Sequence, residues 1–320
     1  MGRGRQILGF GALSVDRILY VDRGFGDGKG RVTNTVTDYG GNVGTALVTA
    51  ARLGGNAGFI GWLSLDPAED PSGEQLAQNG VAINDAPRRA DARAVQSTII
   101  VTPDGERFIA FDDDIPHGTD AALPDAVLGK GAVLLVDSYA TCAVATVRRA
   151  RGLGLAVVAD IEWTVGAATD ALMAVCNHLV LPLAFGQSAT GLDAPADILR
   201  DLWSDDREAV VLTDGARGAY VRQRGDSALW HIRAHPVLAV DTTGAGDCFH
   251  GAYALGLAEA KSPLAAAAYA SAAAALSVTG RGGRAALPGH DACLALMAKG
   301  SAPERLTGKA SGSDLERHHG

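Results

Sequence analysis

Short apolar runs alternate with stretches of helical composition along most of this chain. Gln6 to Leu13 (QILGFGAL) is an apolar run closed by glycines and predicts a buried strand. Val32 to Tyr39 (VTNTVTDY) interleaves β-branched and polar residues, as a half-exposed strand does. Behind Gly40-Gly41, the segment NVGTALVTAARLGG spaces Ala, Val and Leu helically and stops at Gly54-Gly55. Ala57 to Leu63 (AGFIGWL) predicts the next buried strand. Two β-rich runs, VQSTIIVT and ERFIAF, flank Pro103-Asp104-Gly105, a turn triplet that predicts a hairpin between Val95 and Phe111. Strands are then predicted at Ala132 to Val136, Ala156 to Ala159, His178 to Leu181 and Ala209 to Thr213. Segments of helical composition separate them, such as Tyr139 to Arg151.

Apolar runs this short, set between helices, predict an α/β fold with a parallel sheet covered on both faces. The β-rich pieces near residues 17–38 and 95–111 break the alternation and predict a small accessory sheet. Leu264 to Val278 (LAAAAYASAAAALSV) is too short and Ala-rich for a bilayer span and predicts a tightly packed helix. The polar, Gly/Ser-rich residues 301–320 predict a flexible tail.

Composition narrows the function classes. The chain has 320 residues, 47% of them hydrophobic and 20% charged, which excludes a disordered polymer. A formal net charge of −8 argues against a general nucleic-acid or anionic-membrane binder. Cys142, Cys176, Cys248 and Cys293 have no metal-ligand or redox spacing and predict reduced thiols in a cytoplasmic protein. Asp16 and Arg17 interrupt the apolar N-terminal stretch, so no signal peptide is expected.

The chemistry concentrates in Val240 to Ala260, VDTTGAGDCFHGAYALGLAEA. Small residues at Gly244, Ala245 and Gly246 leave backbone N–H groups open to a ligand. The helix start behind them adds partial positive charge, which makes an anion site. Asp247 reads either as a helix cap or as a carboxylate that accepts the proton of an attacking hydroxyl during phosphoryl transfer. His250, one turn later, is expected to pack or hydrogen-bond rather than catalyse.

These residues resemble the signature of the ribokinase-like, or PfkB-type, carbohydrate kinases. The resemblance rests on DTTGAGD, on Gly40-Gly41-Asn42-Val43-Gly44-Thr45-Ala46 with Ala51-Arg52-Leu53-Gly54, and on Thr213-Asp214-Gly215-Ala216-Arg217-Gly218. Order and spacing agree from about residue 6 to about residue 297. It implies a single ribokinase-like domain over residues 1–300, a Rossmann-type parallel sheet flanked by helices with a small β-sheet lid. It also implies an ATP-dependent sugar kinase in which Asp247 is the base and Gly244, Ala245 and Gly246 hold the γ-phosphate. Thr213, Gly215 and Gly218, with Thr243, would lie along ATP. Asp16, Gly40, Gly41 and Asn42 would approach the sugar. Mg²⁺ is expected with ATP, and K⁺ is expected beside the anion hole at Asp241 and Thr243.

The chain departs from that pattern in two places. The family's N-x-x-E pair is replaced by Pro182-Leu183-Ala184-Phe185, and its Asn at the sixth position of the GG motif is Thr45. Asp16, Asp27 and Asn42 are similar to the ketohexokinase arrangement, and Arg107 falls where that branch places an arginine near the transferring phosphate. Read from residue type alone, Arg107 is equally a surface strand arginine. Gly282-Gly283-Arg284-Ala285 and FHGA resemble the 6-deoxy-6-sulfofructose kinase branch, but the arginine used there for the sulfonate falls on Tyr139. A ketose such as fructose is therefore the expected substrate. The alternatives are sulfofructose, ribose or a nucleoside, or a non-catalytic sensing module of the same fold. Gly9-Phe10-Gly11-Ala12-Leu13-Ser14 lacks the third glycine of a dinucleotide fingerprint, and Gly28-Lys29-Gly30 lacks the Ser or Thr of a P-loop. The expected partners are a sugar and ATP, with no nucleic acid and no membrane. A homodimer through the lid is expected from the β-rich edge at Val32 to Thr37.

Overall fold

The structure is a computed structural model that describes residues 6–104 and 106–306. Its main sheet has nine strands among the described residues. From one edge the first four are Glu304–Arg305, Trp230–Ile232, Ala219–Gln223 and Ala209–Thr213. His178–Pro182, Ala156–Asp160, Gly131–Asp137, Gln6–Phe10 and Ala57–Phe59 complete it. The six from Ala209–Thr213 to Ala57–Phe59 run parallel, as the apolar runs predict. The other three are antiparallel, which the sequence reading did not anticipate. Their residues, AYVRQ and WHI, are too polar to read as buried strands. The chain reverses into them at Gly218, where the backbone takes φ +101°. Glu304–Arg305 lies within the expected tail and pairs with Trp230 and His231; residues 307–320 of that tail lie outside the described residues.

Side chains alternate across the sheet with the two-residue period of a strand. Val133 and Leu135 face one core, with Leu47, Ala252 and Ala266. Leu134 and Val136 face the other, with Val147, Leu172 and Ile198. The first core is roofed by the helices Asn42–Arg52, Ala245–Ala258 and Pro263–Ser277. Two of them touch backbone to backbone: a Cβ added to Gly251 would overlap the Ala46 carbonyl oxygen, so only glycine fits there. The Ala-rich run forms the third helix as expected, capped by Ser262 with Pro263 in its first turn.

The run expected as one strand at 57–63 divides. After Ala57–Phe59 the backbone leaves the main sheet, Trp62 N–H donating to the Gly118 carbonyl at 3.1 Å, and Leu63–Ser64 pairs instead with Arg88–Arg89. The accessory sheet is present with the order Val32–Gly40, Ser14–Val21, Val95–Val101, Arg107–Asp112. Its register sets Asp16 directly opposite Asp38. Among the described residues no helix is long and apolar enough to cross a membrane.

Candidate active site

The main sheet ends below the accessory sheet in a cleft of about 560 Å³. Two helix starts form its floor. Gly40 and Gly41 lead into Asn42–Arg52, and Gly244 leads into Ala245–Ala258, with Asp247 in the first turn. Some N–H groups there are already used, Gly44 donating to the Ala12 carbonyl and Ala245 to that of Thr242, both at 3.2 Å; the helix starts add partial positive charge to the floor. The accessory sheet closes the other side with Asp16, Asp38, Ile18, Ile99 and Arg107.

Charge is distributed unevenly around this space. Burial, then the nearby Asp160 carboxyl, pushes Asp247 well above the usual carboxylate range, while His250 and Arg284 act in the opposite sense. Asp16 is also raised, by burial first and by Asp38, against hydrogen bonds from Ser97 and Ser14. Arg284 stands between these carboxyls. Its Nη2 donates to the Gly40 carbonyl at 2.7 Å and its Nε to the Thr45 hydroxyl at 3.1 Å. Burial brings it down to about 10, with Asp38, Asp247 and Asp16 holding it up, so it is cationic at neutral pH.

At the other end, Asp241 is held at about 2. Burial would raise it, but the Thr243 and Gly282 N–H groups, the Thr243 hydroxyl and Arg107 outweigh that. Three of these donors fall on Oδ1, whereas Oδ2 accepts the Gly282 N–H alone and keeps acceptor capacity on the cleft side. Among the described residues no group of three or more His, Cys, Asp or Glu is arranged to hold a metal.

The cleft thus brings together Asp16, Gly40, Gly41, Arg107, Asp241, Thr243, Gly244 and Asp247 from the sequence reading. Ala245 and Gly246 continue the same helix start. Asp27 does not line it; it is exposed in a short turn, Phe25–Asp27, at the tip of the accessory sheet. Asn42 does not line it either; its amide Nδ2 donates to Asp160 Oδ2 at 3.2 Å. Thr213, Gly215 and Gly218 sit at and beyond the C-terminal end of a parallel strand, outside this cleft. Three residues escaped the sequence reading as site members: Asp38, Arg284 and Asp160. Asp160 had a usable signal, a carboxylate ending an apolar strand where the carboxyl ends of parallel strands bind ligands.

Comparison with known proteins gives a concordant result. The profile of the pfkB family carbohydrate kinases matches residues 5–289. The fructokinase of Klebsiella pneumoniae is 32% identical over 295 residues, 83% of this chain and 92% of its own length. The ribokinase of Haemophilus influenzae is 25% identical over 278 residues, 81% of this chain and 87% of its own. Among solved structures, Arabidopsis thaliana ribokinase complexed with ribose and ATP superposes with a TM-score of 0.79 at 19% identity, covering 92% of this chain and 99% of that one.

Proposed function

Since the chain belongs to the pfkB family of carbohydrate kinases, we propose that it transfers the γ-phosphate of ATP to a hydroxyl of a ketose such as fructose, with Asp247 as general base. The observation that carries this is a carboxyl raised by burial at a helix start, opening on a cleft whose opposite wall bears paired carboxyls. Asp247 takes the proton as the sugar oxygen bonds to phosphorus, and the bond to the bridging oxygen of ADP breaks. The N–H groups of Gly244, Ala245 and Gly246 receive the charge that grows on the transferring group, and Arg107 adds to it from above. Mg²⁺, when bound with ATP, neutralises phosphate charge. Asp16 and Asp38 accept sugar hydroxyls, Gly40 and Gly41 approach by backbone, and Thr213, Gly215 and Gly218 run along the nucleotide.

A neutral ketose is favoured over a sulfonated one. Tyr139, at the position the sulfonate would need as arginine, instead donates to Asp113 at 3.0 Å and stacks on His117. The 32% identity to a fructokinase favours fructose among neutral sugars. Phe108, Ile109 and Phe111 are exposed on the accessory sheet, and a second copy of this chain would cover them. Four cysteines without a disulfide suit a reducing cytoplasm.

ADP release from Mg·ATP, measured across fructose, other ketoses, ribose, sulfofructose and nucleosides with and without K⁺, tests the assignment. Asp247→Asn should cut kcat by about 10²–10⁴ while still binding ATP. Because the base acts only when ionised, kcat/KM should rise with pH along a limb set above the ordinary carboxylate range. Full turnover by Asp247→Asn would sink the reading.

A further inference from the structure

Beneath the anion-binding turn lies a histidine whose surroundings exceed what packing requires. His250 is 2% exposed, with Nδ1 2.8 Å from the Gly246 carbonyl oxygen and Nε2 2.9 Å from that of Val180. Carbonyl oxygens only accept. Both contacts are therefore hydrogen bonds only when both ring nitrogens carry hydrogen, which is the cationic form. Either neutral tautomer would turn a nitrogen lone pair onto a carbonyl oxygen at hydrogen-bond distance. A counter-charge is in place: Asp160 Oδ1 lies 3.5 Å from Nε2 and has no hydrogen-bond partner, while Oδ2 accepts from Asn42. Burial, with Glu162 and Asp137, pushes the Asp160 carboxyl well above the usual carboxylate range against the Asn42 hydrogen bond, so it ionises only with a cation beside it, and His250 stands there.

We propose that His250 is a positioning residue held as a cation by Asp160, clamping the Gly246 carbonyl and thereby fixing the turn that presents Asp247 and the anion-binding N–H groups. Its charge adds to that of the helix start, beneath the place where phosphate charge develops. Asp160 also holds Asn42, in the first turn of the sugar-side helix, so both floor turns hang on one buried carboxylate. The charged groups around the pair are Asp247 on the same helix, Glu162 beyond Asp160, Asp137 on the neighbouring strand and Arg284 across the cleft.

Only the kinetic part of the test rests on the kinase reading. Nitrogen-15 NMR of the histidine-labelled full chain at neutral pH should show hydrogen on both nitrogens of the ring whose signals vanish in His250→Gln. Asp160→Asn should convert one of them to an unprotonated nitrogen. In both variants kcat should fall about ten- to a hundredfold, because a displaced turn misaligns the reacting groups. The Kd for ATP and the KM for the sugar should move less than about threefold, a split that general loss of folded protein does not produce. A wild-type ring with one bare nitrogen overturns the proposal, and so do variants with wild-type kcat. If His250→Gln does not fold, the near-isosteric Asp160→Asn carries both arms. If the wild-type protein phosphorylates nothing in the panel, the kinase reading fails while the NMR result still decides the state of His250.

Discussion

Arg107 reaches from the accessory sheet to Thr243, its Nη1 3.2 Å from the Thr243 hydroxyl. Its Nη2 also lies 3.5 Å from Asp241, so one side chain spans this end of the cleft and ties the roof to the floor.

That tie should matter to rate and hardly at all to stability. Arg107 is half exposed, and solvent screening limits such a pair to about 1 kcal/mol or less. Arg107→Ala should therefore shift Tm by no more than a few degrees while lowering kcat/KM about ten- to a hundredfold. Thermal melts run beside steady-state kinetics would check this, and a kinetic loss explained by unfolding would refute it.

Arg284 should behave in the opposite way. Its removal frees the Gly40 carbonyl and the Thr45 hydroxyl and leaves Asp16, Asp38 and Asp247 without their shared cation. Arg284→Ala should cost about 3 kcal/mol of stability and raise the sugar KM. Arg284→Lys should recover little, since one ammonium cannot hold both acceptors in the geometry of a guanidinium fork. Urea unfolding of both variants distinguishes this from a simple charge effect, in which Lys would restore stability.

A third expectation concerns pH. Asp137 is wholly buried at the end of Gly131–Asp137, accepting from the Ala12 N–H at 2.6 Å and the Tyr139 N–H at 3.0 Å. Burial outweighs these donors and pushes its carboxyl up to about 7. An unfolded Asp titrates near ~3.9. Between those values the folded chain holds a proton the unfolded chain has lost, so stability falls as pH rises. This group contributes at most about 1.4 kcal/mol per pH unit, and the slope ends above its folded value. Urea unfolding at pH 5 and pH 7 should show the decline, and Asp137→Asn should flatten it. An unchanged slope in the variant assigns the effect elsewhere.

Two glycines of one loop should differ sharply. At Gly218, φ is +101° and an added methyl would overlap the Ile232 carbonyl oxygen; at Gly215, φ is +51° and the space is open. Gly218→Ala should cost more than about 3 kcal/mol, by a clash with backbone that cannot retreat. Gly215→Ala should cost about 1 kcal/mol, the strain of the left-handed backbone alone. Melting temperatures of the two variants give the comparison directly.

What the sequence revealed follows from how locally each feature is encoded. The six parallel strands were legible because strands buried on both faces are unbroken apolar runs, and both floor helices because glycines punctuate their starts. Asp247 was legible through a motif contiguous in the chain, and Asp16 only through the family resemblance. Asp38 was not, because it occupies a polar position of an alternating strand and reads as solvated until the register sets it against Asp16. Arg284 meets Thr45 across more than two hundred residues, a distance no local pattern spans. The hydrogen bond from Asn42 to Asp160 is likewise invisible in the sequence, since it forms only with the Ala156–Asp160 strand in place. The antiparallel strands beyond Ala209–Thr213 were missed because edge strands carry too few apolar residues to register.

The glycine contact between Gly251 and Ala46 has an evolutionary consequence. Two helices locked at their backbones hold the floor turns at one spacing, and substitutions there meet a steric veto before selection for a new sugar can act. The accessory sheet is under no such veto, since its strands are half exposed and much of its packing is with itself. Descendants of this chain can diversify what they recognise by altering the roof, while the machinery beneath is inherited unchanged.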